Sequence, residues 1–189
     1  MKIGVLAVQG AFIEHIHMLH SLGAECVELR QASDITNALE GIVLPGGEST
    51  VQGKLLHELN MFTPLQKMIR SGVPTLATCA GMILAADKLD NDEHTYLSLM
   101  PITVTRNAYG RQLGSFERNA PIQGIGDFPC VFIRAPYVTN AGEGCEVLCV
   151  IDGNIVAVKY KNITALAFHP ELTDDTRLHQ AFLDSVGER

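Results

Sequence analysis

Short, wholly apolar runs separated by helical periodicity constrain this chain more than any other feature. "IGVLAV" (3–8), "GIVLPGG" (41–47) and "VPTLAT" (73–78) carry no charge, and "ECVELR" (25–30) is a further strand candidate. Between them, "AFIEHIHMLHSLG" (11–23) sets Phe12, Ile16, Leu19 and Leu22 at helical spacing, with Gly23 closing the helix. Residues 51–71 are also helical in pattern. Strands that are apolar throughout need cover on both faces, and helices alternating with parallel strands supply it. The expected class is therefore α/β, with an open, mostly parallel sheet flanked by helices. From residue 96 to 168 the pattern changes. "ITVTR", "CVFIR", "CEVLCVID", "NIVAVKY" and "ITALAF" are closely spaced strand candidates. "DDTRLHQAFLDSV" (174–186) then aligns Leu178, Phe182, Leu183 and Val186 on one helical face, as a last helix returning to the sheet. No repeat, low-complexity run or linker divides the 189 residues, so a single domain over 1–189 is expected.

Composition narrows the partners. Hydrophobic residues make up 47% of the chain, too many for disorder. The net charge of −7 is spread along the chain, whereas nucleic acid needs clustered Lys and Arg. No apolar run approaches a membrane span. "MKIGVLAVQG" reads as a buried strand rather than a signal peptide. Five cysteines, an odd number without paired spacing, fit reduced thiols. A cytoplasmic protein without nucleic-acid or membrane partners is expected.

In open α/β sheets, ligands bind beyond the carboxyl ends of the strands. Three such ends carry chemistry: "PGGEST" after Leu44, "TCAG" after Ala77 and "HPE" after Phe168. A strand turning sharply into a helix at Cys79 would hold the thiol out at the sheet edge as a nucleophile. The plain alternative is a core cysteine. Pro170 ends a strand at His169, and Glu171 is near enough to orient the imidazole and stabilise its protonated form. A surface His and Glu is the alternative. Gly46 and Gly47 can turn backbone N–H groups toward an anion, and Gly47 with Ala80 would form an oxyanion hole. Alternatively the segment is a turn and a helix cap at Ser49 or Thr50.

Taken together, "TCAG", the distant "HPE" and "LPGGES" resemble the class I, triad-type glutamine amidotransferases. "VQGAFIEHI" (8–16), "LPGGEST" (44–50), "TCAGMI" (78–83), "TRNAYGRQLGSFE" (105–117), "VFIRAP" (131–136) and "FHPELTDD" (168–175) are similar to one family within them. That family comprises the glutaminase subunits of pyridoxal 5′-phosphate synthases, and the likeness runs the length of the chain. Ala77 and Gly114 depart from the commoner residues of those motifs. The resemblance implies a three-layer, flavodoxin-like fold and hydrolysis of L-glutamine to L-glutamate and ammonia. It makes Cys79 the nucleophile, His169 the general acid and base, and Glu171 its orienting partner. Gly47, Glu48 and Ser49 would line the glutamine site. Arg106, Ile133 and Arg134 would hold the amino-acid end of the substrate, where an arginine suits a carboxylate. Gln9 and Gly10 would sense docking of a barrel-shaped synthase subunit that receives the ammonia. No cofactor or metal is implied.

Other features take plainer readings. His17 and His20 lie one turn apart, but no Cys or acidic cluster completes a ligand set, so the His15, His17 and His20 helix is expected to face solvent or a partner. Cys26 and Cys130 are expected in the core, as are Cys145 and Cys149 on one strand face. Arg111 and Arg118 are expected as surface charges. Glu48 either binds substrate or favours the first helical turn. Two other functions stay open: a glutaminase serving a different synthase, and a non-catalytic protein in which Cys79 is only a reactive or sensing thiol.

Overall fold

The computed structural model describes residues 1–90, 92–108 and 114–188. Its first half alternates as expected: Lys2–Leu6 (β1), Phe12–Ser21 (α1), Glu25–Leu29 (β2), Gly41–Leu44 (β3), Ser49–Glu58 (α2), Phe62–Arg70 (α3), Thr75–Thr78 (β4) and Ala80–Ala85 (α4). Strands β1, β2, β3 and β4 pair in parallel, in the order β2-β1-β3-β4. Every residue of β3 and β4 is buried, as their uncharged sequences require. The expected helical stretch 51–71 is two helices. The chain breaks at Asn60, which takes a positive φ of 55°, a conformation Asn tolerates better than most residues. Pro64 then falls in the first turn of α3, where its missing N–H costs no hydrogen bond.

The second half is strand-rich: Ala86–Leu89 (β5), Met100–Thr105 (β6), Ser115–Ile122 (β7), Gly126–Ile133 (β8), Tyr137–Ala141 (β9), Glu146–Ile151 (β10), Asn154–Tyr160 (β11) and Ile163–Leu166 (β12). Strand β12 joins the parallel group beside β4. Beyond it β11, β9 and β6 run antiparallel to their neighbours, β5 is parallel to β6, and β10 pairs with β11. Strands β7 and β8 form a separate hairpin. Most of β7 and β9 and half of β5 are exposed or half-buried, and these three strands lack the apolar runs that mark the strand candidates of the sequence. Helix Arg177–Gly187 (α5) buries Leu178, Phe182, Leu183 and Val186, the anticipated stripe, and also His179. Among the described residues no helix is long and apolar enough to cross a membrane.

The parallel group positions the site. Residue Val5 lies opposite Val43, Leu44 opposite Ala77, and Thr78 opposite Leu166. The carboxyl ends of β1, β3, β4 and β12 therefore sit side by side. The segments after them carry Gln9, Gly46, Cys79 and His169.

Candidate active site

Cys79 occupies the turn between β4 and α4 with φ 47° and ψ −102°. A positive φ at a residue with a Cβ costs of order 1–3 kcal/mol and persists only where its surroundings enforce it. Here its N–H donates to the Leu166 carbonyl (2.8 Å), and α4 starts at the next residue. Gly81 makes the turn feasible: a Cβ there would lie 2.0 Å from the Leu44 carbonyl oxygen. The thiol sulfur is 4.0 Å from the Ile133 carbonyl oxygen.

His169 follows β12, and its N–H donates to the Val131 carbonyl (2.8 Å), tying the β8 hairpin to the sheet. Residues Pro170–Leu172 form one 3-10 turn, which brings Glu171 back onto the ring. Its Oε1 is 2.7 Å from His169 Nδ1. Cys79 and the His169 ring meet at Gly46, where a Cβ would lie 2.3 Å from His169 Cε1 and 3.3 Å from Cys79 Cβ. Burial alone would lower the His169 pKa, but the neighbouring Cys79 and Glu171 outweigh that and push it up to about 10. Burial would raise Glu171, yet the flanking imidazoles His15 and His169 hold it below the ordinary carboxylate value. The structure thus brings Cys79, His169 and Glu171 together in one line.

A second polar group lies behind that line. His15 is fully buried, contrary to the expectation that its helix faces solvent or a partner. Its Nε2 is 3.3 Å from Glu171 Oε2 and 3.1 Å from Thr78 Oγ1, and its Nδ1 is 2.9 Å from His179 Nε2. Thr78 Oγ1 also accepts the Gly46 N–H (3.1 Å). His15 lies three residues after Phe12 and four before Leu19, so it belongs to the inward stripe of α1. His179 shares the inward face of α5 with Phe182 and Leu183. That periodicity is the signal that marks both. His17 and His20 are exposed.

In front of Cys79 is a cavity of about 260 Å³. Cys79 and His169 line it together with the expected Gln9, Gly47, Glu48, Ser49, Arg106, Ile133 and Arg134. Ile83 and Asn107 line it too; both lie within the quoted "TCAGMI" and "TRNAYGRQLGSFE" segments, which assigned them no role. The helix cap differs from expectation. Glu48, rather than Ser49 or Thr50, caps α2, its carboxylate accepting from the N–H groups of Thr50 (3.4 Å) and Val51 (3.1 Å). A carboxylate there also meets the positive end of the helix dipole. Arg106 is already engaged: Nη1 donates to Asp92 (2.8 Å), and Nη2 to Thr50 Oγ1 (3.1 Å) and Glu48 (3.4 Å). Arg134, exposed with φ 43°, donates its N–H to the Gly114 carbonyl (2.7 Å). Gln9 Oε1 accepts the Glu48 N–H (2.8 Å), and Gln52 Nε2 donates to the Gln9 carbonyl (2.9 Å). Gly10, at φ 102°, presses so close that a Cβ would lie 1.9 Å from the Gly46 carbonyl oxygen. The Tyr109 to Leu113 part of the family motif, Arg111 included, lies outside the described residues.

All five cysteines are free thiols. Burial pushes Cys26 up to about 11 and Cys130 up to about 12, and raises Cys145 and Cys149 as well. These four stay protonated near neutral pH and make poor nucleophiles. Arg118 pairs with Asp152 at the surface (3.4 Å), as expected.

Comparison with known proteins agrees with this geometry. The profile of the SNO glutamine amidotransferase family matches residues 5–188. This chain belongs to the SNO glutamine amidotransferase family. A relative named pyridoxal 5′-phosphate synthase subunit PdxT, from Desulfitobacterium hafniense (strain Y51), is 56% identical, covering 100% of this chain and 94% of its own. The protein of that name from Streptococcus pneumoniae serotype 2 (strain D39 / NCTC 7466) is 49% identical, covering 100% of both chains. A crystal structure described as a glutamine amidotransferase superposes with a TM-score of 0.93 at 41% identity, covering 98% of each chain. SNO-family membership thus joins a mostly parallel central sheet flanked by helices to the Cys79 elbow.

Proposed function

We propose that this chain is the glutaminase subunit of a pyridoxal 5′-phosphate synthase. It hydrolyses L-glutamine and passes the ammonia to a barrel-shaped synthase subunit for de novo vitamin B6 synthesis. The observation that carries this reading is the strained elbow cysteine sharing one cavity with a histidine that Glu171 clasps from behind. Family membership and the names of the full-length relatives support the choice of synthase. A three-layer, flavodoxin-like single domain over residues 1–189 and a cytoplasmic location belong to the same proposal. Five free thiols fit a reducing compartment.

Chemistry follows from the geometry. With Nδ1 bound to Glu171, His169 has Nε2 left for the Cys79 sulfur. The proton moves from sulfur to imidazole, and the thiolate attacks the side-chain amide carbon of glutamine. Backbone N–H groups of Gly47 and Ala80 receive the oxyanion. As the C–N bond breaks, His169 gives its proton to the departing nitrogen, and ammonia leaves a γ-glutamyl thioester on Cys79. His169 then takes a proton from water as the hydroxyl adds to the thioester carbon. The C–S bond breaks and glutamate is released. Glu171 remains ionised and stabilises the imidazolium. Glu48, Ser49 and Ile133 shape the cavity, and Arg106 and Arg134 supply cations for the substrate carboxylate. For Arg106 this means exchanging its Glu48 or Asp92 contact for substrate. Gln9 grips the Gly47–Glu48 peptide, so docking of the synthase against Gln9 and Gly10 adjusts the oxyanion hole.

Glutamate release from glutamine, with and without purified synthase, tests the reading. Synthase-stimulated release should fall at least about 10³-fold in Cys79→Ala, because the nucleophile is gone. If the synthase binds and neither protein releases glutamate, Cys79 is a structural or sensing thiol.

A further inference from the structure

Behind Glu171 the fold buries two imidazoles that a three-residue hydrolytic site does not need. Placing uncharged polar rings out of water is costly unless they are hydrogen-bonded, and these two come from helices at opposite ends of the sequence. Their positions dictate their protons. Glu171 Oε2 is buried and has no well-aligned hydrogen bond among the described residues, and His15 Nε2 stands 3.3 Å from it. His15 Nε2 makes its aligned hydrogen bond to Thr78 Oγ1 (3.1 Å). A lone pair on Nε2 would face the carboxylate at 3.3 Å, so the hydrogen is assigned to Nε2, where it meets Thr78 and is attracted by Glu171. Burial keeps His15 neutral, which leaves Nδ1 as a lone pair. His179 Nε2, 2.9 Å away, must then donate to it. That leaves His179 Nδ1 as a bare lone pair, and it is the ring atom without a partner among the described residues. A stranded lone pair is better tolerated than a stranded N–H. The reverse tautomers would turn the His15 lone pair onto the carboxylate.

We propose that His15 and His179 are positioning residues of the glutamine-hydrolysing site, fixing the Glu171 carboxylate so that its Oε1 faces His169 Nδ1. The proposal rests on Cys79, His169 and Glu171 being the hydrolytic triad. His15 sets the second carboxylate oxygen, and His179 sets His15. Thr78 Oγ1 shares the His15 ring with Glu171 and holds the Gly46 N–H, so the same cluster reaches the loop in front of Cys79. The charged or titratable groups around His15 are Glu171 and His169 from the turn after β12, His179 from α5, and Glu14 from its own helix.

The first test uses the unaltered protein. Imidazole nitrogen NMR over about pH 6 to 8 should show both rings neutral and protonated at Nε2. A His15 ring protonated at Nδ1 alone would overturn the proposal without any substitution. The second test is synthase-stimulated hydrolysis by His15→Ala, His15→Gln and His179→Ala beside the parent and Cys79→Ala. His15→Ala should lose kcat about tenfold or more, with KM within about twofold, because a displaced acid–base pair slows chemistry rather than binding. The alkaline limb of its kcat/KM profile should move to lower pH, since a loosened Glu171 raises His169 less. His15→Gln, whose amide N–H can still approach Glu171, should recover part of the loss. His15→Ala with the parent's kcat and pH profile would refute the role. If His15→Ala does not fold, His15→Gln and the ring tautomers decide. A parent protein without Cys79-dependent turnover would instead sink the triad, leaving the tautomer measurement standing.

Discussion

The two sides of the Glu171–His169 pair are built on different principles. Behind it, His15, Thr78 and His179 are closed off from water and held by α1, β4 and α5. In front, Gly47, Glu48, Arg106 and Arg134 sit on loops and element ends, where Arg106 grips Glu48 and the Arg134 N–H grips the Gly114 carbonyl. The rear is set by packing of regular elements and has one arrangement. The front is set by exchangeable hydrogen bonds, which a substrate or a docked subunit can replace. Proton transfer tolerates little displacement, whereas recognition must open and close.

Substitutions can separate the two sides. Glu171→Gln should have the largest effect, lowering kcat by about 10² or more with little change in KM, because the imidazolium loses its counter-charge. A large KM change with kcat intact would place Glu171 on the recognition side. Front-side changes should be milder and of another kind. Arg106→Ala should raise KM for glutamine about tenfold, and Gln9→Ala should blunt stimulation by the synthase while Cys79 stays in place. A Gln9→Ala protein that responds normally would remove Gln9 from the docking path. The smallest effect is on stability. Burial lowers the pKa of His15, and that of His179 to about 3, whereas an unfolded histidine titrates near 6.5. The unfolded chain therefore binds more protons below about pH 6.5, and stability is lost as pH falls from there toward 3. Urea midpoints should drop between about pH 7 and 5, and less so in His179→Gln. An unchanged midpoint in the parent would mean that the rear is wetter than its burial implies.

The legibility of the sequence followed the same division. Uncharged runs announced β1, β3 and β4 because buried parallel strands admit little else. Cys79, His169 and Glu171 were readable because sharp turns need small or ring-locked residues, and "TCAG" and "HPE" supply them. Strands β5, β7 and β9 leave no apolar run in the sequence because many of their side chains are exposed or half-buried, and the break in 51–71 is hidden because Asn60 interrupts no apolar periodicity. Glu48 was weighed as a ligand, yet its carboxylate also caps α2, a detail that depends on where the helix begins. The sequence points His15 toward solvent or a partner and leaves His179 without a signal of its own, yet both are buried. Each sits on an apolar stripe that was recognised, but a single polar residue on such a stripe does not reveal its partner, here 164 residues away.

Parallel pairing of β4 with β12 has one more consequence, for the chain while it is being made. The sulfur of Cys79 is synthesised long before His169, the base proposed for it, which follows β12, and before α5 brings His179 against His15. No N-terminal portion ending short of residue 163 holds both partners of the reaction. The thiol thus waits without that imidazole until β12 threads beside β4. On the proposed triad, a chain that has not yet reached His169 liberates no ammonia.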